Sequence, residues 1–122
     1  MNCIYKNKIG KAGELAAKHF LIRKNLNYIK SNYRFERAEI DLIFSDEEKK
    51  TLIFTEVKTR TSKAFGDPLE AITSVKQAQI KKAAMGFVSE NEAYSGYEIR
   101  LDVITVMKSG NKTEIRHYPN AF

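Results

Sequence analysis

The side chains best equipped for chemistry stand in two short segments, Glu39-Ile40-Asp41 and Glu56-Val57-Lys58. Within each segment the charged residues are two apart, and such residues on a β-strand point to one face. Two carboxylates brought together repel each other unless a cation lies between them. A ligand set of Asp and Glu oxygens with open positions favours Mg2+ or Mn2+ over zinc. Such an ion acidifies bound water and neutralises charge on a phosphodiester. A lysine beside it adds positive charge where negative charge develops. This set best serves phosphodiester hydrolysis, with Asp41 and Glu56 holding the metal and Lys58 orienting the nucleophile.

A hairpin is needed to bring these segments together. Glu39–Phe44 and Leu52–Lys58 read as strands rich in Ile, Leu, Phe and Val. The polar run Ser45-Asp46-Glu47-Glu48-Lys49-Lys50 between them reads as the turn of an antiparallel pair. Alternation places Glu39, Asp41 and Ile43 on one face with Leu52, Phe54, Glu56 and Lys58. Ile40, Leu42 and Phe44 share the other face with Ile53, Thr55 and Val57, an apolar surface that calls for a covering helix. The register that fits sets Asp41 opposite Glu56 and Glu39 opposite Lys58, with opposed Cβ atoms about 4.5–5.5 Å apart.

The remaining elements frame this hairpin. Gly10–Lys24 reads as a helix with Ala12, Leu15, Ala16, His19 and Phe20 as its apolar stripe, and Asn27–Phe35 as a less regular strand. Asp67-Pro68-Leu69-Glu70 is a capped helix start, and Ser74-Val75-Lys76-Gln77 repeats a Ser-x-x-Gln start. From Ser74 to about Glu90, Ile80, Ala83, Ala84, Phe87 and Val88 form one stripe. Tyr97–Met107 and Thr113–Tyr118 read as strands joined by the turn Lys108-Ser109-Gly110-Asn111. The order helix, three strands, helix, strand, strand predicts an α/β domain on a mixed sheet, one domain spanning 1–122.

Composition narrows the class. The chain has 122 residues, with 21 Lys+Arg against 15 Asp+Glu for a net charge of +6. One cysteine and two histidines exclude an internal disulfide and a closed cysteine-based zinc site. No apolar run approaches the roughly 20 residues that cross a bilayer, and the start lacks the apolar stretch of a signal peptide. A cytoplasmic protein is expected. The positive excess favours an anionic partner, nucleic acid before an acidic membrane.

Several ordered blocks carry a resemblance: Gly13-Glu14, Asn32-Tyr33-Arg34, Glu39-Ile40-Asp41-Leu42-Ile43, and Phe54-Thr55-Glu56-Val57-Lys58-Thr59-Arg60. Phe65-Gly66-Asp67-Pro68, Lys76 and Arg100-Leu101-Asp102-Val103-Ile104 continue it. From about Gly10 to Val106 the chain resembles the YraN-like bacterial proteins, which lie within the PD-(D/E)xK nuclease superfamily and look closest there to archaeal Holliday-junction resolvases. The resemblance implies a restriction-endonuclease-like core, a mixed sheet flanked by helices. It also implies metal-binding roles for Asp41 and Glu56, the catalytic lysine in Lys58, and in Glu14 the helix acid of resolvase-like members. Ala38 stands where the family usually has Gly, Leu101 replaces a usual Phe, and no proline precedes Asp41. None of these departures removes a functional group.

Other candidates have plainer readings beside the functional one. Without the resemblance, Asp41, Glu56 and Lys58 equally describe an exposed cross-strand ion pair worth about 0–1 kcal/mol. Arg60 and Lys63, in the polar loop after Lys58, suit phosphate contacts that position a duplex without reading it. Lys76 and Gln77 are phosphate contacts or an exposed first helical turn. Asn32 and Arg34 line the groove or a strand edge. His19, His117 and a buried, satisfied Asp102 read as structural. The leading expectation is an Mg2+- or Mn2+-dependent endonuclease acting on DNA, with branched DNA as the suggested substrate. The alternatives are a nucleic-acid-binding module that no longer cuts and a small protein-interaction domain. A homodimer follows if junctions are cut, since opposing strands need two sites.

Overall fold

The computed structural model describes residues 3–61 and 72–122, with side chains from residue 9 onward. Helix α1 (Cys3–Arg23) leads into strands β1 (Asn27–Phe35), β2 (Ala38–Asp46) and β3 (Thr51–Arg60). Helix α2 (Ser74–Glu90) follows, then a one-turn 3-10 helix (Glu92–Tyr94) and strands β4 (Glu98–Ser109) and β5 (Lys112–Tyr118). The five strands form one sheet in chain order. β3 and β4 run parallel, joined by the crossover that contains α2, and the other neighbours are antiparallel. This is the expected mixed α/β arrangement, consistent with a restriction-endonuclease-like core. The helix start expected at Asp67-Pro68-Leu69-Glu70 lies outside the described residues, as do Lys63 and the Phe65–Pro68 block.

The sheet buries both faces. On one, Ile80, Ala83, Ala84 and Phe87 of α2 pack on Ile43, Leu52, Phe54 and Leu101. On the other, Ala17 and Leu21 of α1 pack on Leu42, Phe44, Ile53, Ile104 and Val106. The α2 stripe is the one its spacing predicts. The α1 stripe is not: Gly13, Ala17 and Leu21 face the sheet, while Leu15 is 55% exposed and His19 also faces solvent. Close approach decides this phase. A Cβ on Gly13 would stand 2.0 Å from the Thr59 hydroxyl oxygen, so a glycine lets α1 lie directly on β3. Reading large apolar residues as the buried stripe misses a helix face chosen for small size. Gly86 plays the same part for α2, seated against the ring of Phe35.

The β2–β3 register is the expected one, from Asp46 opposite Thr51 to Leu42 opposite Thr55. There the described pairing ends, although both strands continue. The β1–β2 ladder likewise steps from Ser31–Leu42 to Tyr33–Ile40, passing over Asn32 and Asp41. Asn32 has a left-handed φ of 53°, a conformation asparagine tolerates better than most residues. The strict alternation therefore breaks at Asp41, and Ile40 joins Ile43 and Tyr33 in the α2-side cluster instead of sharing a face with Leu42.

Candidate active site

Where β2 and β3 stop pairing, the backbone N–H of Val57 needs an acceptor, and it donates to Asp41 Oδ2 at 2.7 Å. The Asp41 carboxylate thus bridges the two diverging strands. That holds it beside Glu56, the next residue along β3 from the last paired position. Glu56 is 7% exposed, and its Oε1 accepts two ammonium groups: Lys76 Nζ at 2.8 Å and Lys58 Nζ at 3.4 Å. Lys58 comes from the same strand, two residues on. Lys76 reaches across from the first turn of α2, where its backbone N–H donates to the capping Thr73 hydroxyl at 3.2 Å. The cap is Thr73, one residue before the expected Ser74.

Electrostatics records the crowding of acids. Burial, then repulsion from Glu56, pushes Asp41 up to about 7, against the opposing bond from Val57 and with smaller contributions from Glu14 and Glu39. Glu14, on α1, is raised by burial and by Glu39 and Glu56, while a hydrogen bond from the Asn32 side chain works the other way. Burial also lowers the Lys58 pKa, helped by the neighbouring Lys76 charge and opposed by Glu56. For Lys76, burial is outweighed by its hydrogen bond to Glu56 and that carboxylate's attraction, so its pKa rises.

Two grooves meet at these acids. One, on the α1 side, is lined by Gly10, Glu14, Asp41, Glu56, Lys58 and Arg60. The other, on the α2 side, is lined by Arg37, Glu39, Asp41, Glu56, Lys76 and Gln79. Asp41 and Glu56 belong to both, because the parted strands leave them open to either face. All of the expected donors are carboxylate oxygens, the ligands that a hard divalent cation prefers. Asp41 is raised first by burial and second by Glu56, and a divalent cation would relieve the second. Asp41 and Glu56 therefore suit Mg2+ or Mn2+, with Glu14 across the first groove. Among the described residues no group of three or more His, Cys, Asp or Glu side chains is placed to hold a metal ion, so a cation here would rest on the Asp41 and Glu56 pair.

The other candidates divide. Arg60 lines the first groove, with Nη1 donating to its neighbour Thr59 O at 3.2 Å. Gln77 turns back to the Ile72 carbonyl, donating at 3.2 Å, and so braces the start of α2 instead of pointing into a groove. Arg34 lies on the edge strand with its side chain 78% exposed and pairs with Glu39 at 3.1 Å. The expected Glu39–Lys58 pairing is thus replaced by Arg34–Glu39 and Lys58–Glu56, since opposed positions beyond Leu42 no longer face each other. Arg37 is the residue that the sequence reading missed. It stands in the two-residue turn between β1 and β2, and a turn cation ahead of a strand acid was its one sequence signal.

Asp102 is the satisfied buried acid expected. Arg100 binds it through Nε and Nη2, each at 2.9 Å, His117 Nε2 lies 2.7 Å away and the Asn120 N–H donates at 2.9 Å. Burial alone would raise Asp102, but the bonds to His117, Arg100 and Asn120 prevail and hold it below the usual carboxylate range. This cluster pins β5 and the C-terminal residues to β4.

A family model described as Uncharacterised protein family UPF0102 matches residues 13–106. The chain belongs to the UPF0102 family. A UPF0102 protein of Geobacter metallireducens is 39% identical over 119 residues, covering 98% of this chain and 95% of the relative. One from Natranaerobius thermophilus is 43% identical over 115 residues, covering 93% of this chain and 95% of the relative. The UPF0102 match begins at Gly13, the glycine that seats α1, and takes in Glu14, Asp41, Glu56, Lys58 and Lys76. It also reaches through Val106, so it spans both helices' contacts with the sheet.

Proposed function

We propose that this UPF0102 protein is a metal-dependent endonuclease of the PD-(D/E)xK superfamily, hydrolysing phosphodiester bonds in DNA. The observation that carries the reading is the meeting of Asp41 and Glu56 at the parted end of β2 and β3, with Lys58 on the same carboxylate. Asp41 and Glu56 would hold Mg2+ or Mn2+, and Glu14 would assist from α1. When bound, such an ion supplies Lewis acidity and positive charge at the phosphodiester. The protein's own groups do the rest. Val57 N–H fixes the Asp41 carboxylate, so its orientation is set before substrate arrives. Lys58, 17% exposed in its side chain, holds its ammonium where charge develops on the phosphate and orients the attacking water. Arg60 in one groove, and Arg37 and Lys76 in the other, offer cations to backbone phosphates on either side of the acids. The net charge of +6 supports a polyanionic partner.

Glu56 already engaged by two lysines favours the second reading, a nucleic-acid-binding module that does not cut. Labelled four-way junctions, flaps and linear duplexes, incubated with Mg2+ or Mn2+, separate the two. Cleavage that disappears in Asp41→Asn and with EDTA supports the endonuclease. Salt-sensitive binding with no metal-dependent cleavage supports the module, and cleavage surviving in Asp41→Asn overturns the proposed chemistry.

A further inference from the structure

Lys76 has a shorter contact with Glu56 than the lysine expected to act there. Its Nζ lies 2.8 Å from Glu56 Oε1, against 3.4 Å for Lys58, and both ammonium groups converge on that one oxygen. The two lysines are not equivalent. Lys58 extends from the strand that carries Glu56, and its side chain is 17% exposed. Lys76 crosses from another element, its side chain is 38% exposed, and its backbone is pinned by the Thr73 cap. Its flexible four-carbon stem can therefore leave Glu56 without any movement of α2.

A hard divalent cation needs carboxylate oxygens, and Glu56 Oε1 is already held by the Lys76 ammonium at 2.8 Å, with Lys58 at 3.4 Å. The ammonium of Lys76 also places positive charge where the cation must come. Resting on the metal-site reading above, we infer that Lys76 is an internal counter-ion that occupies Glu56 until a divalent cation displaces it. In the metal-free protein it offsets repulsion between Asp41 and Glu56. Once displaced, it remains in the groove with Arg37 and Gln79, where a phosphate is the natural partner for a freed ammonium. Lys76 is thus a positioning residue that competes with the metal, and removing its charge tightens metal binding.

Calorimetric titration of the full chain with Mn2+ tests this without any turnover. Lys76→Met is expected to bind Mn2+ about tenfold more tightly than the wild type. Lys76→Arg keeps a cation within reach and is expected to stay within about twofold of the wild type. Lys82→Met removes an equal charge from the same helix, one paired with Glu36 at 2.7 Å and not with Glu56, and is expected to change nothing. Mn2+ binding seen in Lys76→Met alone also supports the counter-ion role. Equal or weaker affinity in Lys76→Met overturns that role and leaves the metal site standing. Equal tightening in Lys82→Met overturns it too, by reducing the effect to net charge. No Mn2+ binding by any of the four proteins overturns the metal-site reading and this inference together.

Discussion

At the scale of single residues, Asp41 carries a carboxyl whose burial among acids opposes stability once it ionises. Its carboxyl is raised from 3.8 to about 7 in the folded, metal-free chain. The folded state therefore holds a proton that the unfolded state has released, and stability from this group falls as pH rises between those values. Thermal melts without metal are expected to show the wild type losing stability from pH 5.5 to 8. Asp41→Asn, which keeps an oxygen for Val57 N–H, loses that slope and is the more stable protein at pH 8. Equal slopes in both proteins would show that Asp41 is not held against its neighbours' charge. Asp41, Glu56 and Lys58 were legible in the sequence because strand periodicity and the hairpin register direct them to one place, although alternation breaks at Asp41 and the Val57 N–H holds it there. The partners of Glu39 and Lys76 were not, because they depend on where pairing stops and on which helix turn arrives overhead.

At the scale of elements, the site is made by a discontinuity. β2 and β3 pair as far as Leu42 and Thr55 and then separate, and the acids lie immediately past that point. The hairpin and its register follow from the hydrophobic pattern, but the end of pairing does not, since both strands remain strand-like in composition. Seating of α1 was also hidden, because the helix turns its glycine and alanine, and not its leucine at position 15, toward β3. Gly13→Ala would put a Cβ 2.0 Å from the Thr59 hydroxyl, so α1 or Thr59 must shift. The expected cost is about 1–3 kcal/mol in denaturant unfolding, accompanied by displacement of Glu14. Pairing Gly13→Ala with Thr59→Ala is expected to restore much of the loss. A single Gly13→Ala as stable as the wild type would show that α1 is not packed this closely.

For the whole molecule, a chain of net charge +6 carries an acidic centre reached by two grooves, each lined by two cations beside its acids. The net charge of +6 pointed to a polyanion, and the polar segment after Lys58 pointed to Arg60, but only the fold brings Arg37 to a second groove at the same acids. Only the folded sheet brings the β1–β2 turn and the end of β3 to the same acids. If Arg37, Arg60 and Lys76 each neutralise one phosphate, the log–log slope of duplex affinity against salt is expected near −2.7, and Arg37→Ala should flatten it by about 0.9. An affinity independent of salt would contradict a phosphate-binding role for the grooves. The central claim, that Asp41 and Glu56 hold a divalent cation, is tested most directly by crystals of the full chain grown with Mn2+. The expected anomalous map has one peak between the two carboxylates, about 2.1 Å from an oxygen of each, with Lys76 Nζ withdrawn from Glu56. A map without that peak, with both lysines still on Glu56, would contradict it.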